Sequence, residues 1–117
     1  MQTLHRHAES MSSIPRGSTD FVTFVYGTVF AARTRVVDRL HVGERIILVP
    51  DPPGVDEPTV WAHSPGGDVI GHLSPDVSSW LVPAMLAGRR CGAEVHAVEG
   101  PAVERWKRLR IRVRCHE

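Results

Sequence analysis

The chain has 117 residues, 42% of them hydrophobic, and a formal net charge of +1. That is the length of one domain with one modest core, and no stretch approaches the ~20 apolar residues that span a bilayer. The start, M-Q-T-L-H-R-H-A-E-S, has no apolar core of a secretory signal, so a cytoplasmic protein is expected, and Cys91 and Cys115, without metal-type spacing, are expected to be reduced.

Residues 1–19 are polar and rich in serine, without a sustained period, and read as a flexible tail that includes His5 and His7; the domain is expected over 20–117. F-V-T-F-V-Y-G-T-V-F, residues 21–30, is aromatic and β-branched and predicts a long first strand, with a bulge or bend at Gly27. Val36, Val37 and Leu40 fit the inner side of one or two helical turns, and Gly43 ends that connection. R-I-I-L-V-P (45–50) predicts a second strand. The next segment, D-P-P-G-V-D-E-P (51–58), is half proline and glycine and predicts a loop. T-V-W-A-H (59–63) and V-I-G-H-L (69–73), joined by S-P-G-G-D, predict a hairpin.

Residues 74–88, S-P-D-V-S-S-W-L-V-P-A-M-L-A-G, predict a helix. Ser74 is a good N-cap, and Pro75 sits at the first helical position, where its missing N–H costs nothing. Asp76 suits the positive end of the dipole, and Gly88 supplies a left-handed stop. Val77, Trp80, Leu81, Ala84 and Met85 fall on one face, while Pro83 predicts a kink. C-G-A-E-V-H-A-V-E (91–99) predicts a fifth strand. R-L-R-I-R-V-R-C (108–115) predicts a sixth, because only a strand gathers Arg108, Arg110, Arg112 and Arg114 into one row. About six short strands and one or two helices make a mainly β fold, a small closed or nearly closed barrel.

The charge is uneven. Residues 101–117 carry six cations against two acids, +4, which leaves −3 on the first 100 residues. The arginine row therefore reads in two ways: a stripe for nucleic-acid phosphates, or a solvated face paired with acids such as Glu94 on the adjacent strand. No nucleophile elbow, P-loop, zincin motif or C-x-x-C is present, so no catalysis and no cofactor are expected. His63 and His72 close the ends of the hairpin strands, and Asp56 or Asp68 would complete a conceivable metal site; histidines so placed are more often surface or hydrogen-bonded structural residues.

Residues 43–87 have a recognisable order. Gly43-Glu44 and an apolar strand ending Val49-Pro50 are followed by a proline-rich loop with Asp56, a short strand, then G-G-D-V-I-G-H-L-S-P-D and a helix ending in glycine. With V-Y-G-T-V-F upstream, this resembles the HIRAN domain, over about residues 20–115. The resemblance implies an OB-like β-barrel that binds single-stranded DNA, in particular its free 3′ end, in a DNA-repair setting. It admits a helicase or nuclease acting in trans as a partner. By position it implies Phe30 as the aromatic that stacks on the terminal base, Asp56 as acceptor of the 3′-hydroxyl and His72 as donor to the sugar or phosphate. The chain departs from the family where N-P-Y-D becomes Pro53-Gly54-Val55-Asp56, where a basic residue becomes Val29, and where a lysine becomes Pro75. Trp61, on the strand after the loop, is either a substitute platform or core. The arginine row lies outside what the resemblance implies. The rival reading is a barrel that binds a protein partner or a second copy of itself.

Overall fold

A computed structural model describes residues 14–116. They form six strands: β1 (Asp20–Phe24), β2 (Arg45–Pro50), β3 (Val60–His63), β4 (Val69–His72), β5 (Arg90–Val98) and β6 (Leu109–His116). Two helices, α1 (Arg33–Asp38) and α2 (Pro75–Leu86), and a short 3₁₀ turn at Arg105–Lys107 complete the structure. The fold is mainly β, a small curled barrel with two helices, as the strand count and turn spacing predict.

The antiparallel sheet runs β1-β6-β5-β2-β3-β4. Its outer members, β1 and β4, meet just past the end of β1. There Tyr26 N–H donates to His72 O (2.8 Å) and His72 N–H donates to Tyr26 O (2.9 Å). This closure needs Gly71. A Cβ at that position would lie 2.3 Å from the Tyr26 carbonyl oxygen, so only glycine lets the two backbones approach.

The core follows the period-two pattern of the strands. Phe21 and Val25 from β1 and its extension, Ile46 and Leu48 from β2, and Leu109, Ile111 and Val113 from β6 are all buried inside the barrel. Helix α2 plugs one end with Val77, Trp80, Leu81 and Val82, and Trp80 meets Phe21 edge to face at 5.6 Å. Its start is built as expected: Val77 N–H donates to the Ser74 hydroxyl (3.3 Å). A further bond docks the helix on the sheet, from Val60 N–H to the buried Ser78 hydroxyl (3.1 Å). The helix continues through Pro83. In α1, Val37 is buried, as is Leu40 just beyond it, which matches the apolar spacing.

Three expectations are corrected. The first strand ends at Phe24 rather than 30, because Gly27 adopts φ +75° and turns the chain away from the sheet. The sixth strand begins at Leu109, so Arg108 precedes the row. The cysteines are paired, not reduced: Cys91 and Cys115 form a disulfide. They sit opposite one another on β5 and β6, with Cα atoms 4.0 Å apart. Cys115 N–H donates the other way, to Thr19 O, which makes this the closely spaced, non-hydrogen-bonded kind of cross-strand pair. A separation of 24 residues conceals that proximity in the sequence.

Of the expected tail, residues 1–13, with His5 and His7, lie outside those described. Over 14–19 the chain makes a turn in which the Ser18 N–H and hydroxyl both donate to Pro15 O. Among the described residues, no helix is long and apolar enough to cross a membrane.

Candidate nucleic-acid interface

The outer face of the barrel carries a run of rings that crosses β3, β4, β1 and the 3₁₀ turn. Val49 on β2 faces Trp61 on β3, which faces His72 on β4, which bridges Tyr26. Beyond Tyr26 come Trp106 from the 3₁₀ turn and Phe24 from β1. Neighbouring ring centroids are 5.6 Å apart for Trp61–His72, 6.3 Å for His72–Tyr26, 6.1 Å for Tyr26–Trp106 and 5.1 Å for Trp106–Phe24. All five rings are half-buried. The run exists because alternate residues of a strand share a face and because the Gly71-dependent closure brings Tyr26 to His72.

Local bonds hold the rings in place. Asp51 accepts from the Trp61 indole N–H (2.9 Å) and, with its second oxygen, from Thr59 N–H (2.9 Å), so it also ties off the proline-rich loop. His72 Nδ1 donates to Leu73 O (3.1 Å), which leaves Nε2 toward the Gly27 turn. Burial, and secondarily the nearby Asp76 carboxylate, push the Tyr26 phenol above its ordinary value, so it remains a hydrogen-bond donor.

Phe30 and His72, two of the sequence-predicted residues, come together at the Gly27 turn. Arg33 connects them: its guanidinium donates to Gly27 O (2.9 Å) and lies 5.6 Å from the centre of the Phe30 ring. Phe30 itself is 63% exposed. Trp61 joins the same surface through His72. Asp56 stands apart, exposed on the 51–59 loop, with no hydrogen bond or ion pair to any described residue. Among the described residues, the only non-glycine positions with positive φ are Ala31 (48°) and Glu57 (49°), each directly after a candidate residue, Phe30 and Asp56. Such backbone is sparsely populated and concentrates at ligand-binding turns.

The arginine row has a different character. Arg108 is tucked in, its side chain 12% exposed, donating to Asp38 (2.6 Å) and to Glu99 O (2.7 Å). Arg110 pairs with Glu99 (3.4 Å), and Arg114 with Glu94 (3.3 Å). Arg112 makes a two-pronged contact with Asp20, at 2.9 and 2.8 Å. Those bonds, and the charges of Arg112 and Arg114, hold the Asp20 carboxyl below its ordinary value. Each member of the row thus has an acidic partner. The two surfaces nevertheless meet, because Arg110 lies opposite Phe24 and both line one groove.

Arg33, Tyr26 and Trp106 were not among the sequence-predicted residues. Trp106 lay in a turn with no periodicity to interpret, and Arg33 in a segment that offered only a weak helical signal. His63 and His72 do not converge: His63 faces Val69 and donates to Gly67 O (3.3 Å), whereas His72 faces Trp61 at the other end of the hairpin. Among the described residues, no group of three metal-ligating side chains occurs. Compared with known proteins, the chain matches no family model, no curated protein and no solved structure.

Proposed function

We propose that this barrel is a non-catalytic nucleic-acid-binding module whose ligand is single-stranded DNA, laid along the ring face. The observation that carries the reading is the run from Trp61 through His72 and Tyr26 to Trp106 and Phe24, flanked by cations. A run of partly exposed rings on a sheet supports sequence-tolerant stacking, worth about 1–3 kcal/mol per base. Phosphates would be met first by Arg33, which has no acidic partner among the described residues, and then by Lys107, 4.9 Å from the Trp106 ring centre but paired with Glu104, and Arg110, paired with Glu99. Exposed Phe30 extends the stacking surface past His72. The 3′-end form of the reading gives Asp56 the terminal hydroxyl, and the left-handed backbone at Glu57 supports a specialised role for that loop. A helicase or nuclease working in trans would present the strand.

A second reading, a barrel that binds a protein partner or its own copy, is favoured by one observation: the acids on the arginine row remove the cation surplus that a phosphate track needs.

Fluorescence anisotropy with three labelled oligonucleotides at two salt concentrations separates these readings. The ligands are single-stranded DNA with a free 3′-hydroxyl, the same strand with a 3′-phosphate, and blunt duplex. The proposal expects single strands to bind better than duplex, with affinity falling as salt rises. A preference for the 3′-hydroxyl that Asp56→Ala abolishes supports end recognition. Absence of binding to all three at low salt sinks the nucleic-acid reading and leaves the partner-binding barrel.

A further inference from the structure

Beside the ring run, a groove of about 660 Å³ opens between β1 and the N-terminal end of α2. Its walls include Phe24, Tyr26 and Trp106, and its polar groups include Thr23, Ser74, Asp76 and Arg110 and the Tyr26 phenol. Resting on the single-stranded-DNA reading above, we infer that this groove selects bases whose Watson–Crick edge sets an exocyclic amine beside a ring-nitrogen acceptor, cytosine and adenine, over thymine.

Three features set the chemistry of the occupant. Tyr26 and Trp106 stack on one another, 13° from parallel, and with Phe24 give the groove an aromatic wall against which a flat ring can lie. The Asp76 carboxylate lines the groove, is exposed, and has no hydrogen-bond or ion-pair partner among the described residues. An ionised carboxylate only accepts hydrogen bonds, so the ring it faces must present a donor. Arg110, opposite Phe24 and shared with Glu99, places a cation at the same groove that suits an occupant with an attached phosphate. A flat ring with an amine and an attached phosphate is an amine-bearing nucleotide.

The neighbouring hydroxyl strengthens the discrimination. Ser74 accepts from Val77 N–H, which leaves its own O–H to donate. Cytosine presents an N4 amine beside the N3 acceptor, and adenine an N6 amine beside N1. Both match a groove that offers an acceptor at Asp76 and a donor at Ser74. Thymine presents the reverse, an O4 acceptor beside an N3–H donor, and would set O4 against the carboxylate. Carboxylate acceptance from the cytosine amine is an established form of base-edge readout.

The test compares equal-length oligo-dC and oligo-dT by fluorescence anisotropy near neutral pH, with wild-type protein, Asp76→Asn and Asp76→Ala. The thymine methyl adds apolar stacking surface, so stacking alone favours oligo-dT, and a preference for oligo-dC runs against it. The expected result is binding of oligo-dC about tenfold tighter than oligo-dT, the size of one charge-assisted hydrogen bond. In both variants the ratio is expected to fall toward one, chiefly through weaker oligo-dC binding, with thermal unfolding confirming that each variant is folded. Equal binding of both oligonucleotides to the wild type overturns the inference and leaves the single-stranded-DNA reading intact. A cytosine preference that survives in Asp76→Ala, which unlike Asp76→Asn keeps no acceptor oxygen, overturns it as well, because the selection then arises elsewhere. Failure of both oligonucleotides to bind at low salt overturns the inference together with the reading on which it rests.

Discussion

The ring face and the arginine face of this barrel are built from the same alternation of strand residues, yet they stand differently toward a ligand. Along β6 the arginines meet Asp20, Glu94 and Glu99, and Arg108 is further bound to Asp38 and a backbone carbonyl. Around Tyr26 and His72, rings lean on rings, and the nearby Arg33 guanidinium is held by a carbonyl and an aromatic face rather than an acid. A phosphate approaching the row must displace carboxylates, whereas one approaching Arg33 has none to displace. Density of charge in a sequence is therefore a poor guide to which cations a ligand can reach.

The comparison breaks most severely if the ring face is taken apart. Gly71→Ala puts a methyl group against the Tyr26 carbonyl. The Tyr26–His72 bridge must open, and a loss of about 3–5 kcal/mol is expected, in the range of severe backbone clashes; denaturant unfolding measures it. The arginine side has its own staple. The Cys91–Cys115 bond spans 24 residues and joins the two strands beneath the row. Closing a loop of that length stabilises by about 3 kcal/mol in the chain-entropy account, so melting with and without reductant should differ accordingly. Cys91→Ser with Cys115→Ser should reproduce the reduced value, and a melting temperature indifferent to reductant would show that the pair contributes little.

Much of this fold was legible because strong local signals agreed with one another. β2 has the expected boundaries, the hairpin forms at the Gly-Gly turn, and α2 begins at its Ser74 cap. The alternation in R-L-R-I-R-V-R-C buries Leu109, Ile111 and Val113. What was not legible depends on contacts between distant segments. The disulfide follows from the β5–β6 register, and the acids Asp20 and Asp38 that occupy Arg112 and Arg108 lie far from them in the chain. Of the candidate site, Phe30, Trp61 and His72 were identified and do share a surface, while Asp56 stands apart from them. Arg33, Tyr26 and Trp106 were missed, since a ring or cation in a turn carries no period that distinguishes a binding role from packing.

Binding measurements sharpen the contrast at the next level of effect. Phe30→Ala removes an exposed ring, so folding should be unaffected while affinity for single-stranded DNA falls roughly tenfold. Trp106→Ala should weaken binding by a similar factor and also loosen its contacts with Phe24 and Tyr26, visible as a lower melting temperature. Arg112→Ala provides the control. If the row is committed to its acids, the slope of log affinity against log salt is unchanged. If Arg112 instead touches phosphate, that slope decreases by about one. An altered slope in Arg112→Ala together with an inert Phe30→Ala would reverse the assignment of the two faces.

The smallest effects separate the faces by pH. The Asp20 carboxyl is lowered from 3.8, first by the hydrogen bonds from Arg112 and then by the charges of Arg112 and Arg114. Its contribution to stability is therefore present above 3.8 and lost as pH falls through the folded-state value. Wild type and Asp20→Asn should differ slightly near neutrality and converge in acid, because an exposed ion pair is weak. The ring face answers at the opposite limb. Tyr26 is raised from 10.0 by burial and then by Asp76, so its contribution is present below 10.0 and lost as pH rises through the folded-state value. It is the only tyrosine in the chain, so tyrosinate absorbance reads it directly. Asp76→Asn should move that titration partway back, since burial, the larger cause, remains. An unmoved titration in Asp76→Asn would mean that the carboxylate does not act on the Tyr26 phenol and that burial alone raises it.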